Sequence, residues 1–157
     1  MPELKHIVGD ATEPGQYPAI IAHVCNDKGY FASGFVVPLG RKYPKAKQEY
    51  LKMTRRDLGT TGLVIIDDRL IIANMIAQHD IYAKNGIPPI RYQALQRCLE
   101  TVYKYAENIF TVHMPRIGAN RSGGDWTTIE RIIRSAMSVD TFVYTLPSEV
   151  NRFIQTS

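Results

Sequence analysis

The residues with the clearest chemical meaning lie between His113 and Trp126, in the run His-Met-Pro-Arg-Ile-Gly-Ala-Asn-Arg-Ser-Gly-Gly-Asp-Trp. Glycines at 118, 123 and 124 permit positive φ and let a ligand approach the backbone closely. Ahead of them, Ile109-Phe110-Thr111-Val112 has the apolar, β-branched composition of a buried strand. Behind them, Thr127-Thr128-Ile129-Glu130 has capping-box spacing, which predicts that a helix begins there. A glycine-rich loop leading into a helix N-terminus offers free N–H groups and a partial positive charge, which suit a phosphate or diphosphate. If the loop wraps a diphosphate, a Glu side chain at position 118 is expected to project into the phosphate site. A tight connection that binds nothing has the same composition, and the loop alone leaves both readings open.

Other chemistry-bearing residues fall in loops or at strand ends. Asp10 follows the run Leu4–Val8, where a carboxylate can accept hydrogen bonds from a ligand or cap a turn. A small-residue loop, Cys25 to Gly34, follows the apolar run Ala19–Val24. His23 and Cys25 share one strand face, but no second pair is spaced to complete a metal site with them. Cys25 as a nucleophile would need His23 or His113 as its base. His79 and Asp80 are adjacent and could do acid–base work at neutral pH, although a surface His beside an Asp is commonly incidental. The 41–56 stretch carries seven basic residues against Glu49. It could touch a polyanion, and a solvated basic helix face explains it equally well.

These residues need elements to position them. Strands are predicted at Leu4–Val8, Ala19–Val24, Leu63–Ile66, Leu70–Ala73 (continuing towards Ile76), 109–112 and Thr141–Leu146. Asp67-Asp68-Arg69 reads as the turn of a hairpin. Helix is predicted from Phe35 to Asp57 in two pieces broken near Pro44, and from Arg91 to Glu107, where Leu95, Leu99, Val102 and Ala106 form one stripe. A further helix carries Ile129, Ile132, Ile133, Ala136 and Met137 on its apolar face. The alternation predicts one α/β domain over residues 1–157, with helices on both faces of a mixed sheet. In such a sheet the loops after Val8, Val24, Ala77 and Met114 meet beyond the strand ends, where ligands bind. The tail to Ser157 is expected to be a frayed extension or a short helix.

At 157 residues the chain is long enough to bury a core, and 45% hydrophobic with 22% charged residues argues against disorder. No apolar run approaches the roughly 20 residues of a membrane span. Two cysteines and no signal-peptide pattern lead to an expected cytoplasmic location. The net charge of +4 favours an anionic partner mildly.

Taken in order, four segments resemble a macrodomain, the ADP-ribose-binding α/β/α module, over residues 4 to 147. They are Gly9-Asp10, Ala22-His23 before the 25–34 loop, Met114-Pro115-Arg116-Ile117-Gly118 with its glycines, and Val143-Tyr144-Thr145-Leu146. Pro-Arg-Ile-Gly and Trp126 to Ile132 resemble the branch that includes a chromatin-remodeller macrodomain and the terminal ADP-ribose protein glycohydrolase. The resemblance implies a three-layer fold and the following ligand contacts. Asp10 would accept from the adenine amino group, with the Ala11 N–H nearby. Asn26 would face the distal ribose. Ser33, Gly34 and Phe35 would form one phosphate loop, and Ile117, Gly118, Ala119, Asn120, Arg121, Ser122 and Gly123 the other. Tyr144 and Leu146 would pack the adenine ring.

The glycohydrolase relative has a catalytic lysine and aspartate where this chain has Gln78 and Ser122. Glutamine has no nucleophilic amine, which argues against a lysine-linked covalent route. His79, Asp80 and Asp125 are the remaining catalytic candidates. Two readings therefore stand, a reader of free or protein-linked ADP-ribose and a hydrolase of ADP-ribosyl esters or of ADP-ribose-1''-phosphate. A nucleic-acid-binding domain trails both. No metal, cofactor or membrane partner is expected.

Overall fold

Strands β2 (Ala19–Asn26) and β4 (Leu70–Gln78) are buried along nearly their whole length, and they set the architecture. Apart from the buried His23–Asn74 pair and the polar strand ends, their side chains are apolar in both directions, so each face must be covered by helices. A computed structural model describes residues 3–119 and 122–150. The remaining strands are β1 (Leu4–Val8), β3 (Thr61–Ile65), β5 (Thr111–Pro115) and β6 (Thr141–Thr145). The six strands form one sheet in the order β1-β6-β5-β2-β4-β3. All neighbours pair in parallel except β3, which runs antiparallel to β4 through the expected hairpin.

Helices α1 (Val36–Lys42) and α2 (Pro44–Lys52) cover one face. There Leu39, Ala46 and Tyr50 pack with Ile21, Ile72 and Ile76. Helices α3 (Tyr92–Ala106) and α4 (Trp126–Ala136) cover the other. On that side Leu95, Leu99, Ile129 and Ile133 meet Ile20, Ala73, Met75 and Met114. Each such buried aliphatic side chain contributes about 1.5–3 kcal/mol, so the alternating contacts of β2 and β4 hold the three layers together.

Strands β2 and β4 run about two residues past their predicted ends, to Asn26 and Gln78, and β3 begins at Thr61 rather than Leu63; three further differences have a tertiary cause. Helix α2 ends at Lys52 rather than Asp57, because the chain turns there to carry Leu58 in against both cores. Strand β5 starts at Thr111, not Ile109. Glu107 and Asn108 take positive φ, turning the chain after α3 and leaving Ile109 66% exposed. The cap of α4 is Asp125, whose carboxylate accepts the Thr128 N–H at 3.1 Å and the Thr128 hydroxyl at 2.7 Å. The Thr127-x-x-Glu130 spacing is therefore not the cap. Beyond Thr145, Pro147–Glu149 forms a 3-10 turn. The expectation for the tail beyond residue 150 lies outside the described residues.

Candidate functional site

The five strands β1, β6, β5, β2 and β4 are parallel, so their C-terminal ends open on one edge of the sheet. A cleft of about 1010 Å³ runs along that edge. Four inter-strand spacings separate β1 from β4, or about 19 Å. At the β1–β6 end the cleft is lined by Asp10, Ala11, Tyr144 and Leu146. Its middle holds Ser33, Gly34 and Phe35 opposite Ile117, Gly118, Ala119 and Ser122. Asn26 and Gln78 lie towards the β4 end. The loops expected to meet do meet. Asn120 and Arg121 lie outside the described residues.

Local hydrogen bonds decide what each side chain can offer. Asp10 Oδ1 accepts the Thr12 N–H at 2.9 Å and the Thr12 hydroxyl at 2.8 Å, so one oxygen is committed to a turn. Its Oδ2 has no partner among the described residues. Tyr144 forms part of a small apolar cluster with Ala11 and Phe142, against which Phe35 packs. The Tyr144 hydroxyl pairs with His113 Nδ1 at 2.7 Å, which leaves the ring as the cleft-facing surface. Asn26 commits its side chain to its own loop and to helix α2, whose Tyr50 hydroxyl donates to Oδ1 at 2.8 Å. Its Oδ1 accepts from Lys28 N and Tyr30 N at 3.0 and 3.1 Å, and its Nδ2 donates to the Tyr30 carbonyl at 2.7 Å.

Backbone donors are concentrated in the middle of the cleft. The N–H groups of Ser33, Gly34 and Phe35 have no acceptor among the described residues, and neither do those of Gly118 and Ala119. Gly34, Gly118 and Gly123 take positive φ, whereas Gly124 does not. A Cβ on Gly118 would sit 2.9 Å from Ile129 and 3.0 Å from Ile90, against the core. A Glu at 118 would therefore strike the interior rather than enter the cleft, contrary to the sequence expectation. A Cβ on Gly124 would lie 2.4 Å from the Gly118 carbonyl oxygen, so only glycine fits this crossing of the loop. Arg116, also on the cleft wall, stacks on Trp126 with 4.4 Å to the ring centroid. The adjacency of Pro115-Arg116 to the glycines did not disclose that contact, because it is made by tertiary folding.

Gln78 and Ser122 come together, the serine hydroxyl donating to the Gln78 side-chain oxygen. Gln78 Nε2 donates in turn to the Asp80 carbonyl at 2.8 Å. Both ends of this pair are neutral. His79 and Asp80, the adjacent acid–base candidates, take different partners. His79 Nδ1 pairs with Asp27 Oδ2 at 2.7 Å, while the Asp80 carboxylate accepts the Ile81 N–H. Burial raises the Asp27 carboxyl, but the hydrogen bonds from Asp80 N–H and His79, with the charges of His79 and Lys28, hold it below the usual carboxylate range. Asp125, as the α4 cap, lies outside the cleft lining.

The remaining candidates are buried. His23 is pushed down to about 4 by burial, against the hydrogen bond to Asn74 that raises it, and is neutral at pH 7. Burial drives the Cys25 thiol far up, with Cys98 adding to the effect. Burial thus favours the neutral thiol over a nucleophilic thiolate there. Among the described residues, no group of three or more His, Cys, Asp or Glu side chains is placed to hold a metal ion. No described helix is long and apolar enough to cross a membrane. On the basic 41–56 stretch, Lys42, Lys52 and Arg55 pair with Glu13, Glu49 and Asp57. Lys45 and Arg56 donate to backbone carbonyls. Most of that face is thus engaged locally.

Comparison with known proteins places this geometry in context. No family model matches the chain. Chromodomain-helicase-DNA-binding protein 1-like from Danio rerio is 31% identical over 149 residues, covering 86% of this chain but only 14% of that protein. The chain thus spans a small fraction of the helicase-like relatives. An ADP-ribose 1''-phosphate phosphatase from Lodderomyces elongisporus is 26% identical and covers 91% of this chain and 98% of the phosphatase. A macrodomain protein from Streptomyces coelicolor superposes with a TM-score of 0.78 at 30% identity, over 91% of this chain and 99% of that one. Matched over almost the full length of that protein, with the same mixed α/β sheet, this chain belongs to the macrodomain family.

Proposed function

We propose that the cleft binds ADP-ribose, free or attached to protein, and that the chain acts as a reader rather than a lysine-dependent hydrolase. The observation that carries the reading is the arrangement along the strand ends. A carboxylate oxygen on Asp10 stands at one end, beside the Tyr144 ring, and two loops with unsatisfied backbone N–H groups face each other in the middle. The carboxylate can accept an exocyclic amine, the ring can pack a base, and convergent N–H groups suit a diphosphate. Asn26, braced within its loop, presents mainly its second Nδ2 hydrogen to the distal ribose. Gln78 and Ser122, hydrogen-bonded to each other, supply neither a nucleophilic amine nor a carboxylate base.

A second reading rests on the phosphatase relative, whose name specifies ADP-ribose 1''-phosphate. Among the described residues no cationic side chain lines the β4 end of the cleft, where that phosphate would lie. An anionic monoester would meet only neutral groups there, so we rank this reading second.

Calorimetric titration tests the first reading. ADP-ribose should bind in the micromolar range, and AMP much more weakly, because it lacks the second phosphate and distal ribose. Equal affinities would remove the two-loop arrangement. Incubation with glutamate-linked ADP-ribosylated protein should release no ADP-ribose, and release would return the chain to the hydrolases.

A further inference from the structure

Past Gln78, at the β4 end, the cleft opens into a mouth. Tyr30, Ile81 and Tyr82 line it, and the tyrosines are 55% and 73% exposed. Tyr43, Tyr50 and Tyr144 all have hydroxyl partners, and Tyr17 stacks under Arg69. The hydroxyls and ring faces of Tyr30 and Tyr82 have no partner among the described residues. Two aromatic faces exposed at the rim of one cleft offer a flat ligand ring a surface to pack on.

Their two loops are not independent. Asp27 N donates to the Gln78 carbonyl at 3.0 Å, and the Asp27 carboxylate takes the Asp80 N–H at 2.9 Å and His79 Nδ1 at 2.7 Å. Asn26 fixes the backbone at Tyr30 through the amide bonds described above. The mouth is therefore stapled on both sides by short hydrogen bonds. Its floor, Gln78 with Ser122, is polar and uncharged. At about 1010 Å³ the cleft lies at the upper end of the roughly 300–1,000 Å³ common for small-ligand sites.

We propose that this mouth is a subsite for a planar, positively charged ring attached to the distal ribose, so that the cleft takes an oxidised nicotinamide dinucleotide as well as ADP-ribose. The proposal rests on the ADP-ribose reading, because the adenosine diphosphate would lie as described there. Tyrosine faces attract a pyridinium through the ring quadrupole. The absence of a lining cation among the described residues at this end removes the repulsion such a ring would meet. Gln78 offers an amide to the ring's carboxamide, at the cost of its present bond to the Asp80 carbonyl.

The test is calorimetric titration of the full chain with ADP-ribose, NAD⁺ and NADH, repeated on Tyr30→Ala, Tyr82→Ala and Tyr82→Phe. The parent should bind NAD⁺ at least as tightly as ADP-ribose, and NADH, whose ring is uncharged, about two- to tenfold more weakly than NAD⁺. In each alanine variant the preference for NAD⁺ over ADP-ribose should fall by a similar factor, and Tyr82→Phe should retain it. NAD⁺ binding tenfold weaker than ADP-ribose in the parent would overturn the proposal, as would an unchanged preference in both alanine variants. Failure of the parent to bind ADP-ribose would instead overturn the underlying reading, and this proposal with it.

Discussion

Asp10 shows how a single residue can serve the fold and a ligand at once. Its Oδ1 holds the Thr12 turn, and its Oδ2 stands open on the cleft. Asp10→Asn can keep the turn acceptor while presenting an N–H donor where an adenine amine would need an acceptor. Binding of ADP-ribose should weaken by about 1–3 kcal/mol, the range for a hydrogen bond to a charged group, with little change in melting temperature. Titration paired with a thermal melt checks this, and unchanged affinity would leave Asp10 a turn residue only. At this scale the sequence was read well where position at a strand end places a residue on the cleft, as at Asp10 and Gly34, which both line it. It was read poorly where the partner is distant in sequence. His79 stands beside Asp80 in the chain but pairs with Asp27, and nothing local to either residue signals that choice. Nor does local sequence mark Tyr30 and Tyr82, since an exposed tyrosine acquires meaning only from the cleft it lines.

At the scale of elements, periodicity located every strand and helix, because β2 and β4 are buried on both faces and α3 carries one clean apolar stripe. Three of the misplaced boundaries are set by tertiary geometry. The consecutive positive-φ residues Glu107 and Asn108 delay β5, and Asp125 takes the α4 cap from Thr127. The glycine-rich loop owes its shape to one crossing, where Gly124 N donates to the Gly118 carbonyl at 2.8 Å. Gly124→Ala would force a Cβ to 2.4 Å from that oxygen. The loop must open, and we expect a loss of about 1–3 kcal/mol, typical of overpacking, together with weaker ADP-ribose binding. Urea denaturation with a parallel titration measures both. A variant within 0.5 kcal/mol of the parent, a margin ordinary for surface changes, would show that the crossing is dispensable.

For the whole molecule, we infer that the described residues unfold as one unit, since α1–α2 and α3–α4 pack on opposite faces of the same strands. Two histidines buried in that sheet make its stability depend on pH. Burial lowers both His23 and His113 to about 4, whereas the unfolded chain protonates them near the ordinary histidine value of 6.5. Between those values the unfolded state binds more protons, so stability is fully present above about 6.5 and is lost as pH falls towards 4. Each histidine contributes a slope of about 1.4 kcal/mol per pH unit in that window. Urea midpoints at pH 7.5, 6 and 5 should fall accordingly in a single transition. A flat profile would mean that neither ring is held neutral by the fold.

The central claim is that the two facing loops hold the diphosphate of ADP-ribose, and Ser33→Glu tests it most directly. Ser33 is exposed on the loop opposite Gly118 and lines the cleft, so a carboxylate there adds bulk and like charge at the anion site without entering the core. The measurement is calorimetric titration of Ser33→Glu with ADP-ribose, beside a thermal melt of the same sample. The account predicts binding below detection with a melt unchanged from the parent. Parental affinity in a folded Ser33→Glu protein would contradict it.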